Sequence, residues 1–475
     1  MESAAIKKFI AEWIGKNKDE FEELGRKIFE TPELGMQEHV SAKLLADAAA
    51  RHGFAVEMGV ADMPTAFVAT YGSGRPVVGF SLEYDCLPGL SQKVATAKEP
   101  VMEGAPGHGC GHNLLGAGAL AAGAALRHAM EHFGFSCTIK LFGTPAEEIC
   151  IGKPFMARAG LFAGVDAFLD WHPFCEKTFV PKGTNAYFNK YYHFHGKTAH
   201  GNSPWNGRST LDAAMLMGHA VEMLREHIVP GTAAAANTIN YTFSNVGPEF
   251  PSVVPDRTTV WYVGRFTTTE VMADAMRRID DCARGAALAT GTTVESELVT
   301  AIHENLPNMV LGKVVDDNYR AVGPMPVSEE EQEFARQLQR NAGNEPTGIV
   351  QTHLPPCEFD AAVTDVSEYS WWAPLASLFA ATHPGPNFHH WTTTAASGSA
   401  AGMRSISYAA RILACSAVDL IASPELVEEA QKEHMRQLRG RTYQSLIPDA
   451  IKPPVDANRQ TMEKYHPTDR QKSKL

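Results

Sequence analysis

The sequence predicts an α/β protein, a mixed-sheet catalytic domain interrupted by a smaller inserted α+β domain. Strand-like and helix-like segments alternate through residues 1–183, the pattern of a mixed sheet with helices on both faces. The character changes over residues 184–303 and the first pattern returns in residues 304–475. The length of 475 residues also exceeds one ordinary core, since single cores stop growing near about 250–300 residues.

Taken in order, Ile6, Phe9, Ile10, Trp13 and Ile14 recur at helical spacing among charges, which predicts an amphipathic surface helix and no export signal. Ser41–Arg51 is rich in Ala and Leu and reads as helix. Phe67–Thr70, Val77–Ser81 and Cys137–Phe142 read as short buried strands. Leu114–Leu126 is apolar but too short to span a bilayer, which takes about 20 residues, and reads as a buried core helix. In the insertion, Thr210–His227 and Thr269–Thr290 read as helices, and Tyr187–His195, Thr238–Ser244 and Thr258–Phe266 as strands. Ser423-Pro424-Glu425 predicts a helix start with Ser as cap and Pro in the first turn. The Pro-rich, charged tail after Ile451 is expected to be poorly ordered.

Composition removes several classes of function. A net charge of −12 and the lack of a basic stripe argue against a nucleic-acid surface. No segment predicts membrane insertion. The eight cysteines are scattered singly, which suits reduced thiols and a cytoplasmic protein.

Four segments carry chemistry. Gly107-His108-Gly109-Cys110-Gly111-His112-Asn113 sets a thiol and two imidazoles among three glycines, which allow unusual backbone angles. Gly143-Thr144-Pro145-Ala146-Glu147-Glu148 follows a predicted strand, where α/β sites gather. Adjacent carboxylates point different ways, so one can bind metal while the other holds a water. Leu169-Asp170-Trp171-His172-Pro173 and Phe388-His389-His390-Trp391 each add a histidine near an apolar run or loop. Singly, each has an ordinary structural explanation, such as an acidic helix start for the glutamates. Together, Cys, Glu and His from four separate loops make a site for two borderline metals.

With Glu83-Tyr84-Asp85-Cys86-Leu87-Pro88-Gly89-Leu90-Ser91-Gln92 and Gly196-Lys197-Thr198-Ala199-His200-Gly201 added to these segments, the chain resembles the amidohydrolase branch of the aminoacylase/carboxypeptidase metallopeptidases, collinearly from about Glu30 to Ala422. The resemblance implies Cys110, His112, Glu148, His172 and His389 as ligands of two divalent metals, Mn or Zn. His389 is preferred to His390 because the family pattern sets its His two residues before the Trp. Glu147 matches the general base, and Asp85 an acidic residue beside the site. In the insertion, which in the family is a lid and dimerisation domain, His200 matches a His that reaches the partner protomer's site, and Arg265 an Arg that holds the substrate carboxylate. Ser252 departs: the family usually has Asn there, contacting substrate near the scissile carbonyl, and Ser offers one donor where the amide offers two.

The expected function is hydrolysis of an N-acyl amino acid, such as p-aminobenzoyl-glutamate, by a metal-activated water with Glu147 as general base. The expected assembly is a homodimer through the insertion; the alternative is a heterodimer with a related chain. Other readings are a dipeptidase or another acyl-amino-acid conjugate hydrolase, or a catalytically silent metal-binding subunit. An oxidoreductase is disfavoured, since no strand-linked GxGxxG opens the chain.

Overall fold

The structure is a computed structural model, and it describes residues 2–175, 177–178, 184–232, 235–248, 250–353 and 362–465. The chain runs α1 (Ser3–Glu30), α2 (His39–Arg51), β1 (Ala55–Met58), β2 (Phe67–Gly72), β3 (Val77–Leu82), α3 (His112–Phe133), β4 (Thr138–Gly143), α4 (Gly152–Arg158) and β5 (Ala167–Phe174). The insertion follows as β6 (Ala186–His195), α5 (Thr210–Arg225), β7 (Thr238–Asn245), β8 (Arg257–Phe266), α6 (Thr269–Thr290) and β9 (Thr293–Ile302). The chain then returns through α7 (Met309–Val322), α8 (Glu329–Asn341), β10 (Leu375–Ala381), α9 (Trp391–Ser397), α10 (Ala400–Ala422), α11 (Pro424–Leu438) and α12 (Arg459–Tyr465).

Six strands form one mixed sheet in the order β1-β2-β4-β3-β5-β10. β4, β3, β5 and β10 run parallel, so their carboxyl ends share one edge, while β1 and β2 pair antiparallel at the other side. Helices cover both faces. On one, α3 and α10 both pack on the sheet and α1 packs against the two of them. Its glycines allow this closeness: a Cβ on Gly118 would stand 2.9 Å from the Trp171 ring of β5, whose Nε1 donates to Leu115 O at 3.0 Å. On the other face, Phe142, Phe162, Phe168 and Tyr369 form an aromatic cluster. In α1, Ile6, Ile10 and Ile14 are buried at four-residue spacing, as the amphipathic pattern requires.

The insertion has its own four-stranded antiparallel sheet, in the order β7-β8-β6-β9, and its own apolar core beneath α5 and α6. Side-chain caps start both helices: Ser209 accepts from Asp212 N, and Thr268 from Val271 N.

Several expectations need correction. β9 went unread, because Thr293–Ile302 has no clean alternation; its burial runs irregularly along an edge strand. α5 stops at Arg225 rather than His227. Ser423 makes no side-chain cap; its carbonyl instead takes the Leu426 N–H at 3.0 Å. The tail is packed as far as Tyr465: Gln37 Nε2 donates to the carbonyls of Val455 and Ala457, and Met462 is buried against Leu34. Residues 466–475 lie outside the described residues, as does Cys357. α10 is long and apolar enough to cross a membrane, yet it packs as a core helix against α1 and α3.

Candidate metal centre

The motif residues meet at the carboxyl edge of the parallel strands. Glu83 and Asp85 follow β3, Glu147 and Glu148 follow β4, His172 ends β5, and His389 lies in the loop after β10. Cys110 and His112 arrive on the turn that starts α3. Gly111 caps that helix at φ +88°, and a Cβ there would meet Pro173 Cγ at 2.7 Å, so glycine alone suits this approach. Ala146 and His389, at φ +57° and +55°, hold the left-handed conformation without being glycine. Such strain gathers where side-chain direction matters more than backbone comfort.

Cys110, His112 and His172 form one group, with Cys110 Sγ 3.3 Å from His172 Nε2. Cys110, Glu148 and His389 form a second, with His389 Nε2 3.3 Å from Glu148 Oε2. The thiol is common to both, so these residues can hold two neighbouring cations.

The atoms that these groups leave open fit metal ligation. His112 Nδ1 lies 2.8 Å from Asp85 Oδ1, and His172 Nδ1 lies 2.7 Å from the Pro173 carbonyl. An imidazole that donates through Nδ1 presents the bare Nε2 lone pair, the tautomer a metal needs, with an acceptor behind it fixing the ring. His112 Nε2 and Glu148 Oε1 are buried with no hydrogen-bond partner, a costly state that cations would relieve. Asp85 spans the site, since its Oδ2 also accepts the Glu148 N–H at 3.0 Å. Burial opposes the Cys110 thiolate, but the imidazoles of His172 and His112 hold its pKa well below the ordinary thiol value. Burial and the Cys110 charge raise Glu148 to about 7, while hydrogen bonds that the His389 ring donates to Cys110 and Glu148 raise His389 to about 10. Glu147 is pushed well above the usual carboxylate range by burial and by Glu83. Its Oε2 lies 3.8 Å from His112 Nε2, whereas Glu148 makes its contact with His389. His390 turns away and accepts the Thr392 N–H at the start of α9.

A cavity of about 340 Å³ opens over these residues. Its far wall comes from the insertion, where the Arg265 guanidinium sits 5.8 Å from the Tyr187 ring centre. His200 and Ser252 are not part of it. Both are exposed on the insertion, on two neighbouring segments joined by an antiparallel bridge between His200 and Val253 and by the Gly201 N–H to Ser252 O bond of 2.7 Å. His200 Nδ1 accepts the Asn202 N–H, which leaves the ring proton on Nε2, facing outward as a donor.

The chain matches the description "Peptidase family M20/M25/M40" over residues 79–401. The chain belongs to this family. A peptidase family places this M20 chain among enzymes that hydrolyse C–N amide bonds, and the residues gathered here suit metal-dependent chemistry. It is 33% identical to one of the chains of the p-aminobenzoyl-glutamate hydrolase of Escherichia coli, covering 94% of this chain and 98% of that one. It is 28% identical to the human Xaa-Arg dipeptidase, covering 92% and 94%. Among solved structures, its fold is similar to a dinuclear metal-binding M20 peptidase of Bacillus subtilis, with TM-score 0.58, 16% identity and coverage of 86% and 99%.

Sequence reading missed some residues of this M20 site. Glu83, Asp170 and Tyr187 line the cavity, and Lys153 and Asp365 lie beneath it. Asp170 and Lys153 carried a signal, a charge inside an apolar run. Phe379 and Phe388, each in ring contact with both His172 and Phe174, carried none, nor did Phe174.

Proposed function

We propose that this chain hydrolyses the amide bond of an N-acyl amino acid, with p-aminobenzoyl-glutamate as the leading candidate. The observation that carries the reading is the convergence of two cation-binding groups, the partly buried base Glu147 and the cavity guanidinium Arg265 on one 340 Å³ space. Arg265 suits a substrate carboxylate, which a planar guanidinium can grip through two parallel bonds. Phe174, Phe379 and Phe388 supply an apolar wall for an aromatic acyl group. The name of the 33% relative points to the same substrate.

Cys110, His112, Glu148, His172 and His389 would hold two divalent cations, Mn or Zn, with Asp85 fixing His112 from behind. Bound there, the cations would lower the pKa of a water and polarise the amide carbonyl. Glu147 takes the proton from the attacking water and passes it to the leaving nitrogen, a role that suits a carboxylate of raised pKa. Arg265 orients the amino-acid end. His200 Nε2–H is a donor for the developing oxyanion, but it stands outside its own chain's cavity.

That displacement supports a dimer in which the insertion brings His200 to the partner's site. The insertion has surface to spare for pairing: β7 is an edge strand exposing Tyr241 and Phe243, and α5 exposes Met215, Leu216 and Met223. A second copy is the proposed partner. A related chain is the alternative, since the E. coli relative is named as one subunit among others. Ser252, beside His200, would touch substrate in the same place. Free thiols at Cys86, Cys110, Cys137, Cys150, Cys282 and Cys415 suit the cytoplasm.

The 28% identity to an Xaa-Arg dipeptidase supports a dipeptidase as the second reading. Steady-state rates on p-aminobenzoyl-glutamate, other N-acyl amino acids and Xaa-Arg dipeptides decide between them. A kcat/KM at least about tenfold higher for p-aminobenzoyl-glutamate upholds the first; the reverse order replaces it.

A further inference from the structure

Beneath the cavity lies a charge that the proposed hydrolysis does not use. Lys153, in the first turn of α4, is wholly buried. Its Nζ stands 2.5 Å from Asp365 Oδ1 and 2.7 Å from Glu83 Oε1, and its backbone N–H donates to Asp365 Oδ2. An ammonium stripped of water is costly unless carboxylates surround it. Burial works against its charge, but Asp365 and Glu83 outweigh burial and keep it protonated.

The ammonium touches Glu83 at one oxygen only. The other, Oε2, faces the metal centre 3.5 Å from His112 Nε2, and Glu147 Oε2 stands 3.8 Å from the same nitrogen. Glu83, His112 and Glu147 thus form a third tight group beside the two that share Cys110. Around it are buried Asp85, Asp170 and Asp365, so carboxylates crowd this floor and Lys153 is the buried lysine set among them. The anchor on its far side is fixed as well. Asp365 opens the short helical turn Asp365–Trp371, in which Glu368 takes the backbone and ring N–H groups of His303, and Ser370 takes the Leu306 N–H. Those two residues are the chain's exit from the insertion, so the cavity floor and the insertion's root share one turn.

We propose that Lys153 is a positioning residue, an internal cation that pins Glu83 from below so that its free oxygen stays set against His112 and the base Glu147. Without the ammonium, Glu83 and Asp365 would repel each other and Glu83 would turn away from the centre. The inference rests on the metal-centre reading above, so its test separates the two.

The test uses full-length protein and titrates Zn²⁺ or Mn²⁺ against a chromophoric chelator, which needs no substrate, alongside kcat and KM. Lys153→Met combined with Asp365→Asn removes the ammonium and its second partner without changing net charge. Glu83→Gln keeps the shape and removes the charge that Lys153 holds. Both variants are expected to bind metal at least about tenfold more weakly, the scale on which groups behind the ligands act. Both should lose about a hundredfold in kcat, as a misplaced catalytic group does, with KM within about threefold. A folded double variant with wild-type metal affinity and kcat would overturn the proposal and leave Lys153 a packing residue. Should the double variant not fold, Glu83→Gln decides alone: wild-type affinity and kcat in it would overturn the proposal equally. Wild-type protein that takes up no metal would sink the metal-centre reading itself.

Discussion

Cys110 and Glu147 carry the sharpest predictions at the scale of single residues. Cys110 belongs to both cation groups, whereas His172 and His389 belong to one each. Cys110→Ala should therefore take metal content below one equivalent per chain, while His389→Ala should leave about one; elemental analysis of dialysed protein reads this directly. Glu147→Gln should lower kcat by a factor of about 10²–10⁴ with both metals retained, because it removes a proton carrier and no ligand. Asp85→Asn should weaken metal affinity by about 10–100-fold, since Asp85 fixes the His112 ring and the Glu148 backbone at once. These residues were legible because each sits in a short segment where charge or thiol breaks an apolar or glycine-rich context. Lys153 stands out as a charge in an apolar run, but its pairing with Asp365 was not legible, because 212 residues separate the two and no local pattern says which buried charge meets which.

Helices and strands were legible where periodicity was clean and illegible where it was not. The isoleucines of α1, the apolar runs of β3 and β4 and the two insertion helices fall where patterning puts them. β9 escaped because this edge strand is mostly exposed at its start and wholly buried at its end, so its burial does not alternate. The tail after Ile451 misled for a related reason: polar and proline-rich sequence looks unpacked, yet its backbone carbonyls are held by Gln37. One prediction belongs here. α1 is pinned to α2 and α3 by Trp13 and Phe21 stacked around His52 and His128, and burial lowers the pKa of both histidines. The unfolded chain then takes up these protons near about pH 6.5 and the folded chain only below it. The stabilisation is therefore full above about pH 6.5 and is lost as pH falls through the lowered values. Melting temperature should drop between about pH 7.5 and 5.5 by more in the wild type than in His52→Phe/His128→Phe; equal drops would remove these histidines as the cause.

At the scale of the whole molecule, the insertion contributes Arg265 to its own cavity and holds His200 away from it. If His200 serves a partner's site, two inactive variants should complement. Glu147→Gln supplies His200 and His200→Ala supplies Glu147, so each mixed dimer has one complete site. Random mixing should then recover about a quarter of wild-type activity. Recovery of none would place His200 outside catalysis in trans. The two-part architecture was legible from the change of pattern along the chain, and the resemblance carried the expectation that His200 reaches a partner's site, although the motif alone does not give its distance from its own cavity. The most direct test of the account is hydrolysis of p-aminobenzoyl-glutamate by metal-stripped protein as Mn²⁺ or Zn²⁺ is added back in measured equivalents. The account predicts no turnover without metal and activity that rises until about two equivalents per chain are bound. Full turnover in stripped protein, or saturated binding of metal with no amide cleaved, would contradict it.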